Sequence, residues 1–482
     1  MIVSRCRVLP WLAWAVVLVA LCGIKLQQLV DFHRDAQYYV QASLLWPQGQ
    51  VGFAGSLIGG RDLVVLAYHR AMVLLGANTD ALAVAMGFLF GCCCLLLAVV
   101  CQATLRCASS RAWAAIASAS FAFLLTAWSY PASDGPGVTV LAAMWATWAA
   151  WLRWRRPWLL WMLMSLLAGL STHVRSELAL FALAAGVLAV APQLVSADAA
   201  VPRWRVVLAT AAAAGVFLVG TSAPNVAWPV WVPAAKPYVY TYVFPLYRAM
   251  EESARGSNGE ASAELSRVLG LGPQERIPFW PALAKTYVEF GPRESDRLVA
   301  RAALEGLRAA PTRFIANVAR TLCAEPCSGA SVRPVLAVEL GRLGERRERQ
   351  AGSLAELDAV RRSHSAQFGD DPVVATARLA EGSIPWVERL RGLLGGLEVN
   401  VAFPFVAVPT LALVLGAIAA LRPGQRALLL PVIAYAITLC VLVAATQGGG
   451  ERYLEGALLL EAVALTITGF ALPASRRRPP AL

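Results

Sequence analysis

The run Ala81-Leu-Ala-Val-Ala-Met86-Gly-Phe-Leu-Phe90-Gly-Cys-Cys-Cys-Leu95-Leu-Leu-Ala-Val-Val100-Cys-Gln-Ala-Thr-Leu105 contains no charged residue. About 20 apolar residues suffice to cross the hydrocarbon core of a bilayer as a helix, so the stretch reads as a membrane span. Hydrophobic residues make up 58% of the 482-residue chain and charged residues 15%, below the roughly one quarter charged in soluble proteins. The expected fold class is therefore an all-α polytopic membrane protein. Similar runs mark Leu9 to Ile24, Ala112 to Tyr130, Gly137 to Leu152, Trp158 to Ser171 and Leu178 to Val195. Val206 to Ser222, Val399 to Leu421, Ala427 to Ala445 and Tyr453 to Leu472 bring the expected number to about ten spans.

Arginines orient the spans. Arg5 and Arg7 precede the first, Arg106 and Arg111 separate the second and third, and Arg153, Arg155 and Arg156 follow the fourth. Arg203 and Arg205 follow the sixth, Arg422 and Arg426 the eighth, and Arg476, Arg477 and Arg478 close the chain. If spans alternate, all of these share one side, which the positive-inside rule makes cytoplasmic. Both termini are then cytoplasmic in a multi-pass protein of the cell membrane. The net charge of +12 owes much to this topology, and nucleic acid is not an expected partner. The first span lacks a small-residue cleavage site before Lys25 and reads as an uncleaved anchor rather than a signal peptide.

Three blocks follow: an N-terminal transmembrane module over 1–222 with a first external loop at 25–80, an extracytoplasmic, mainly helical region over 223–398, and C-terminal spans with a cytoplasmic tail over 399–482. The middle block opens on Trp228-Pro-Val-Trp231, which suits an irregular interfacial segment. Ser253 to Gly259 reads as a mobile loop. An amphipathic pattern over Arg297 to Leu322 breaks at Ala310-Pro311, predicting two helices. The charged run Glu339 to Arg361 suits a solvated helix. Cys323 and Cys327 lie close enough in sequence for a short-range disulfide if their compartment is oxidising.

Four elements on the external side carry polar groups. The segment Asp31-Phe-His-Arg-Asp35-Ala-Gln-Tyr38-Tyr39, if helical, gathers Asp31, Asp35, Tyr38 and Tyr39 on one face. A carboxylate there can act as a general base or bind a divalent cation, and Asp31 could equally cap the helix. Arg61-Asp62 then opens Leu63 to Leu75, a helix suited to the outer surface. Asp134, before the fourth span, fits either a cap or a functional carboxylate. The turn Thr172-His173-Val-Arg175-Ser-Glu177 holds an arginine near hydrocarbon, where a partner is usual and Glu177 or a ligand anion is the candidate. Arg452 and Tyr453 open the last span after three glycines, and Arg452 suits either an interfacial anchor or a phosphate contact.

These residues resemble a family. Arg34-Asp35-Ala-Gln-Tyr38, Ser133-Asp134-Gly-Pro136, Ala168-Gly-Leu-Ser-Thr172-His-Val-Arg175-Ser-Glu177, Ala309-Ala-Pro311-Thr-Arg313-Phe314 and Glu451-Arg452-Tyr453-Leu454 are similar, in order, to segments of the polytopic type C glycosyltransferases. Those enzymes use lipid-phosphate sugars; examples are the protein O-mannosyltransferases and the lipid A aminoarabinose transferase. The resemblance implies catalytic roles for Asp35 and Asp134, with Asp35 as base. Together with the polar groups of the four external elements, it makes Asp31, Tyr38, Tyr39, Arg61, His173, Arg175, Glu177, Arg452 and Tyr453 the candidate substrate-binding residues. Arg34 departs from the acidic pair usual in the first loop and leaves the role of Asp31 open. The implied partners are a polyprenyl-phosphate sugar donor, the lipid bilayer and a glycan, lipid or protein acceptor, with a divalent metal ion as the one cofactor to consider. A bacterial inner membrane is the corresponding location. The competing readings are a transporter or lipid flippase, and a ligase or polymerase of O-antigen type.

Overall fold

The computed structural model describes residues 2–27, 30, 36–45, 61–129, 131–154, 157–195, 202–231, 253–323, 331–332, 335–340, 348, 351–352, 354–355, 379–382, 384–393, 397–402, 406–446 and 451–471. The first half contains α1 (Ile2–Gln27), α2 (Ala36–Leu45), α3 (Asp62–Leu75), α4 (Thr79–Thr104), α5 (Ala108–Phe123), α6 (Asp134–Trp154), α7 (Pro157–Ser171), α8 (Ala179–Val195) and α9 (Arg203–Trp231). There follow α10 (Glu260–Leu269), α11 (Phe279–Phe290), α12 (Pro292–Ala309), α13 (Pro311–Cys323), β1 (Ser331–Val332) and β2 (Val335–Leu340). The chain closes with α14 (Pro385–Leu393), β3 (Leu397–Ala402), β4 (Val406–Ala407), α15 (Val408–Leu421), α16 (Arg426–Thr446) and α17 (Glu451–Ala471).

Among the described residues, five helices are long and apolar enough to cross a membrane: Leu9–Leu26, Thr79–Thr104, Trp204–Ser222, Pro423–Ala444 and Tyr453–Ala471. Of the other expected spans, α6 has 21 residues, while α5, α7, α8 and α15 are shorter. The 15 residues of α7 rise only about 22 Å at 1.5 Å per residue. The stretch Val399 to Leu421 is not one span. Val399 belongs to β3, which pairs antiparallel with β2 from Val335↔Ala402 to Leu340↔Leu397, and the helix begins only at Val408.

α4 shows why this composition makes a bundle. Phe90, Cys93, Cys94, Leu97 and Cys101 are fully buried along one stripe, while Phe88, Leu95 and Val99 are exposed. A helix apolar on its buried and outer faces alike suits a membrane, because lipid takes the outer side. α4 packs on α5 and α6, α1 on α4 and α5, α7 on α9, and α16 on α8, α15 and α17. The α7–α9 crossing depends on two glycines. A Cβ on Gly169 would lie 2.3 Å from the Phe217 carbonyl oxygen, and one on Gly220 2.8 Å from that of Leu166. Small residues permit such backbone approach where the hydrophobic effect cannot drive helix association.

The region between the two membrane blocks departs from expectation in four places. The helix expected to end near Ser222 continues to Trp231, so Trp228 to Trp231 is helical rather than irregular. Ser253 to Gly259 is a packed turn: Ala254 is buried in a small core with Leu265, Ile277, Phe279 and Val299. Glu339 lies in β2 opposite Glu398, so the charged run begins as a strand rather than a helix. The region is therefore mainly helical but adds two short antiparallel pairs, β1–β4 and β2–β3. The break at Ala310-Pro311 is as expected, with α12 ending at Ala309 and α13 opening on Pro311. Proline at the first turn of a helix costs no hydrogen bond.

A buried ion pair fastens this region to the bundle. Arg391 of α14 donates to the Asp80 carboxylate in the first turn of α4. The same carboxylate accepts from Ile384 N at 3.2 Å, and Thr79 N donates to the Ala380 carbonyl at 3.2 Å.

Candidate functional site

The turn after α7 positions Arg175. Arg175 N donates to the Ser171 carbonyl at 2.7 Å, and the extended backbone of Arg175 carries its side chain toward α6. Gly137 of α6 makes room for it: a Cβ there would lie 2.8 Å from Arg175 Cδ. The guanidinium donates from Nε to Glu177 Oε1 at 2.5 Å and from Nη1 to Asp134 Oδ1 at 2.5 Å. Its central carbon lies 4.7 Å from the centroid of the Tyr453 ring, within cation–π range. Arg175 and Asp134 are buried. Burial alone would raise the Glu177 carboxyl, but the charges of Arg175 and Arg61 outweigh it and hold it below the ordinary glutamate value.

Arg175 is thus shared by two carboxylates, and Nη2 remains without a hydrogen bond although buried. Asp134, Arg175, Glu177, Tyr435, Tyr453 and Gly456 line a recess of about 10 Å³. That is about the room one water occupies, so the recess in this state admits a single polar atom rather than a sugar ring.

A second arm approaches from α2 and α3. Arg61 Nη1 donates to Tyr39 Oη at 2.6 Å, and Tyr68 Oη donates to the Ala132 carbonyl at 2.8 Å. The latter bond ties α3 to the loop before Asp134. Arg61, half-buried, and Glu177 are in electrostatic reach of one another.

Sequence reasoning identified Tyr39, Arg61, Asp134, Arg175, Glu177 and Tyr453, and the fold brings these six to one end of the bundle. His173 Nε2 lies 2.6 Å from the Thr221 carbonyl oxygen, so that edge of its ring ties the turn to α9. Asp31, Asp35 and Cys327 lie outside the described residues. Tyr38, Arg452 and Cys323 are described as backbone only, in α2, at the start of α17 and at the end of α13. The proposed disulfide between Cys323 and Cys327 therefore falls outside the described residues.

Sequence reasoning missed Glu455 and Lys25 as buried polar groups of this end. Glu455 accepts hydrogen bonds from Thr126 Oγ1 and from Ala127 N, the latter at 2.7 Å. Lys25 Nζ lies 4.7 Å from the centroid of the Phe123 ring. The available signal was a carboxylate inside an otherwise apolar helix, which is costly and therefore informative.

The described residues of this end fit a divalent ion poorly. Asp134 and Glu177 share the Arg175 guanidinium, and no group of three His, Cys, Asp or Glu side chains converges among the described residues.

No known protein family, curated protein or solved structure matches the chain. The fold and its apolar helices define a predominantly helical, multi-pass, membrane-associated protein.

Proposed function

We propose that the chain is a membrane glycosyltransferase that moves a sugar from a polyprenyl-phosphate donor to an acceptor hydroxyl on the extracytoplasmic side, with inversion. The observation that carries this reading is that Asp134, Arg175, Glu177 and Tyr453 line one recess, with Arg61 in electrostatic reach of Glu177, so that four separate parts of the chain meet at this end. The arginine distribution assigns that end of the bundle to the external side in a topology of about ten crossings. Carboxylates, guanidinium groups and aromatic rings at the membrane surface suit a lipid-linked phosphate and a sugar.

The charges divide the labour. Two carboxylates against one guanidinium leave the Asp134–Arg175–Glu177 group with a net negative charge, a poor host for phosphate. Its two acceptors, the free Nη2 and the Tyr453 ring suit sugar hydroxyls. Arg61, hydrogen-bonded to the Tyr39 phenol, and Arg452, at the start of α17, are the cations for the donor phosphate. Arg175 then acts as an organiser of both carboxylates rather than as the partner of a ligand anion that the sequence also allowed. Asp35 is the base that takes the proton of the acceptor hydroxyl as it attacks the anomeric carbon. The recess must widen for a sugar to enter. Such opening belongs to donor binding, with its cost drawn from binding energy.

The test is a screen of labelled polyprenyl-phosphate sugars with the purified protein and membrane-extract acceptors. Labelled product formed only in the presence of the protein supports the reading; intact donor recovered across the whole panel rejects it. Transport is the second reading. One observation favours it, a buried glutamate, Glu461, in the middle of α17, because intramembrane carboxylates mark ion and proton paths.

A further inference from the structure

Glu461 lies ten residues after Glu451 in α17, a rise of about 15 Å and about half the thickness of the hydrocarbon core. Its side chain is fully buried, and neither carboxyl oxygen has a hydrogen-bond partner. The other acidic side chains buried among the described residues are matched. Asp80 meets Arg391, Asp134 and Glu177 meet Arg175, and Glu455 meets Thr126 and Ala127. Among the described residues Glu461 is the buried carboxyl left with both oxygens unbonded. Of the elements packed against α17, including α5, α6, α15 and α16, α16 presents Cys440, a thiol in electrostatic reach of Glu461.

An ionised carboxylate in such surroundings has neither a cation nor a donor to replace its water. The neutral acid needs only a proton. We propose that Glu461 is a proton-binding site in the middle of the membrane, held as the neutral acid. Releasing the proton requires water or a cation to enter beside α17. The same helix carries Tyr453 and Gly456 at the recess, so proton release at Glu461 is linked to the packing that shapes that end. The inference rests on burial and geometry alone and holds whether the chain transfers sugars or transports a solute.

Dicyclohexylcarbodiimide tests it on the full-length protein in lipid nanodiscs. The O–H of a neutral carboxylic acid adds across one C=N bond of this apolar reagent, and the O-acylisourea rearranges to an N-acylurea with no atom lost. Peptide mass spectrometry should find the adduct on Glu461, with labelling that declines as the pH is raised into the alkaline range. Glu461→Gln should remove the adduct, and a water-soluble carbodiimide should leave Glu461 unmodified while modifying the exposed Glu260. If Glu461→Gln does not fold, the pH dependence and the reagent comparison on the natural protein still decide. Recovery of the unmodified Glu461 peptide after full exposure to the apolar reagent would overturn the proposal. So would equal labelling by the water-soluble reagent, because the carboxyl would then sit in water.

Discussion

Arg175 Nη1 lies 2.5 Å from Asp134 Oδ1, joining the turn after α7 to the first turn of α6. A buried pair of this kind is worth less for its attraction than for what its loss exposes. Removing one partner leaves an uncompensated charge at a cost of about 3–5 kcal/mol. Here Arg175 serves two carboxylates, so its loss strands two charges while the loss of either carboxylate strands none. Arg175→Met should therefore destabilise the protein much more than Asp134→Asn. Adding Asp134→Asn and Glu177→Gln to Arg175→Met should recover most of the loss. Denaturation midpoints of the four proteins in one detergent check the order; equal midpoints for Arg175→Met and the triple variant would contradict it.

Acid should weaken the same group. The Glu177 carboxyl sits below its ordinary value because Arg175 and Arg61 outweigh the effect of burial. A folded-state value below the unfolded one contributes stability that is present above the unfolded value, about pH 4.3. That contribution is lost as pH falls through the folded value. The natural protein should lose stability more steeply than Glu177→Gln as pH falls below about 4. Parallel profiles over this range would remove Glu177 from the acid response.

At the α7–α9 crossing, Gly169→Ala forces a Cβ against the Phe217 carbonyl. Overpacking of this kind costs about 1–3 kcal/mol. Gly215, with nothing within 4 Å of the corresponding Cβ position, provides the control in the same helix pair. Gly215→Ala should leave the midpoint unchanged while Gly169→Ala lowers it.

The Asp80–Arg391 pair holds the segment 379–393 on α4. Asp80→Asn should leave Arg391 buried without its counter-charge and release this segment to limited proteolysis. Asp80→Leu with Arg391→Leu should protect it better than Asp80→Asn alone, because the double change leaves no charge buried. Cleavage at equal rates in the natural protein and Asp80→Asn would show that the backbone bonds alone hold the segment.

Much of this architecture is legible in the sequence. The uncharged run over Ala81 to Leu105 marks α4, the Ala310-Pro311 dipeptide marks the break between α12 and α13, and Glu177 is two residues from the arginine it pairs with. Other features leave no local trace. Val399 and Val401 alternate with Glu398 and Asn400 in β3, but the apolar run that follows them in α15 hides the strand, since a short apolar stretch fits either conformation. The contacts of Glu455 with Thr126 and of Arg391 with Asp80 each join residues hundreds of positions apart. Periodicity reports which face of an element is buried and not which distant side chain meets it. Asp134 illustrates the gap: sequence allowed a helix cap or a functional carboxylate, whereas its described partner is Arg175.

The donor-phosphate assignment separates Arg61 and Arg452 from Arg175. Replacing arginine by lysine keeps the charge but loses the planar fork. Arg452→Lys should weaken use of the lipid donor with folding intact, and Arg61→Lys should do the same while losing the bond to Tyr39. Unchanged donor dependence in both would return Arg452 to the role of an interfacial anchor and Arg61 to a partner for Tyr39.

The most direct measurement is sugar transfer by the purified protein in lipid nanodiscs, using a labelled polyprenyl-phosphate sugar identified by the donor screen, for the natural chain and for Asp35→Asn. Loss of a general base typically lowers the rate by about 10²–10⁴-fold. The account predicts labelled acceptor with the natural chain and a loss of that order in Asp35→Asn, with the denaturation midpoint unchanged. Transfer by Asp35→Asn at the natural rate would contradict the role given to Asp35. Movement of chemically unchanged donor across a vesicle membrane, with no labelled acceptor formed, would contradict the transferase reading itself.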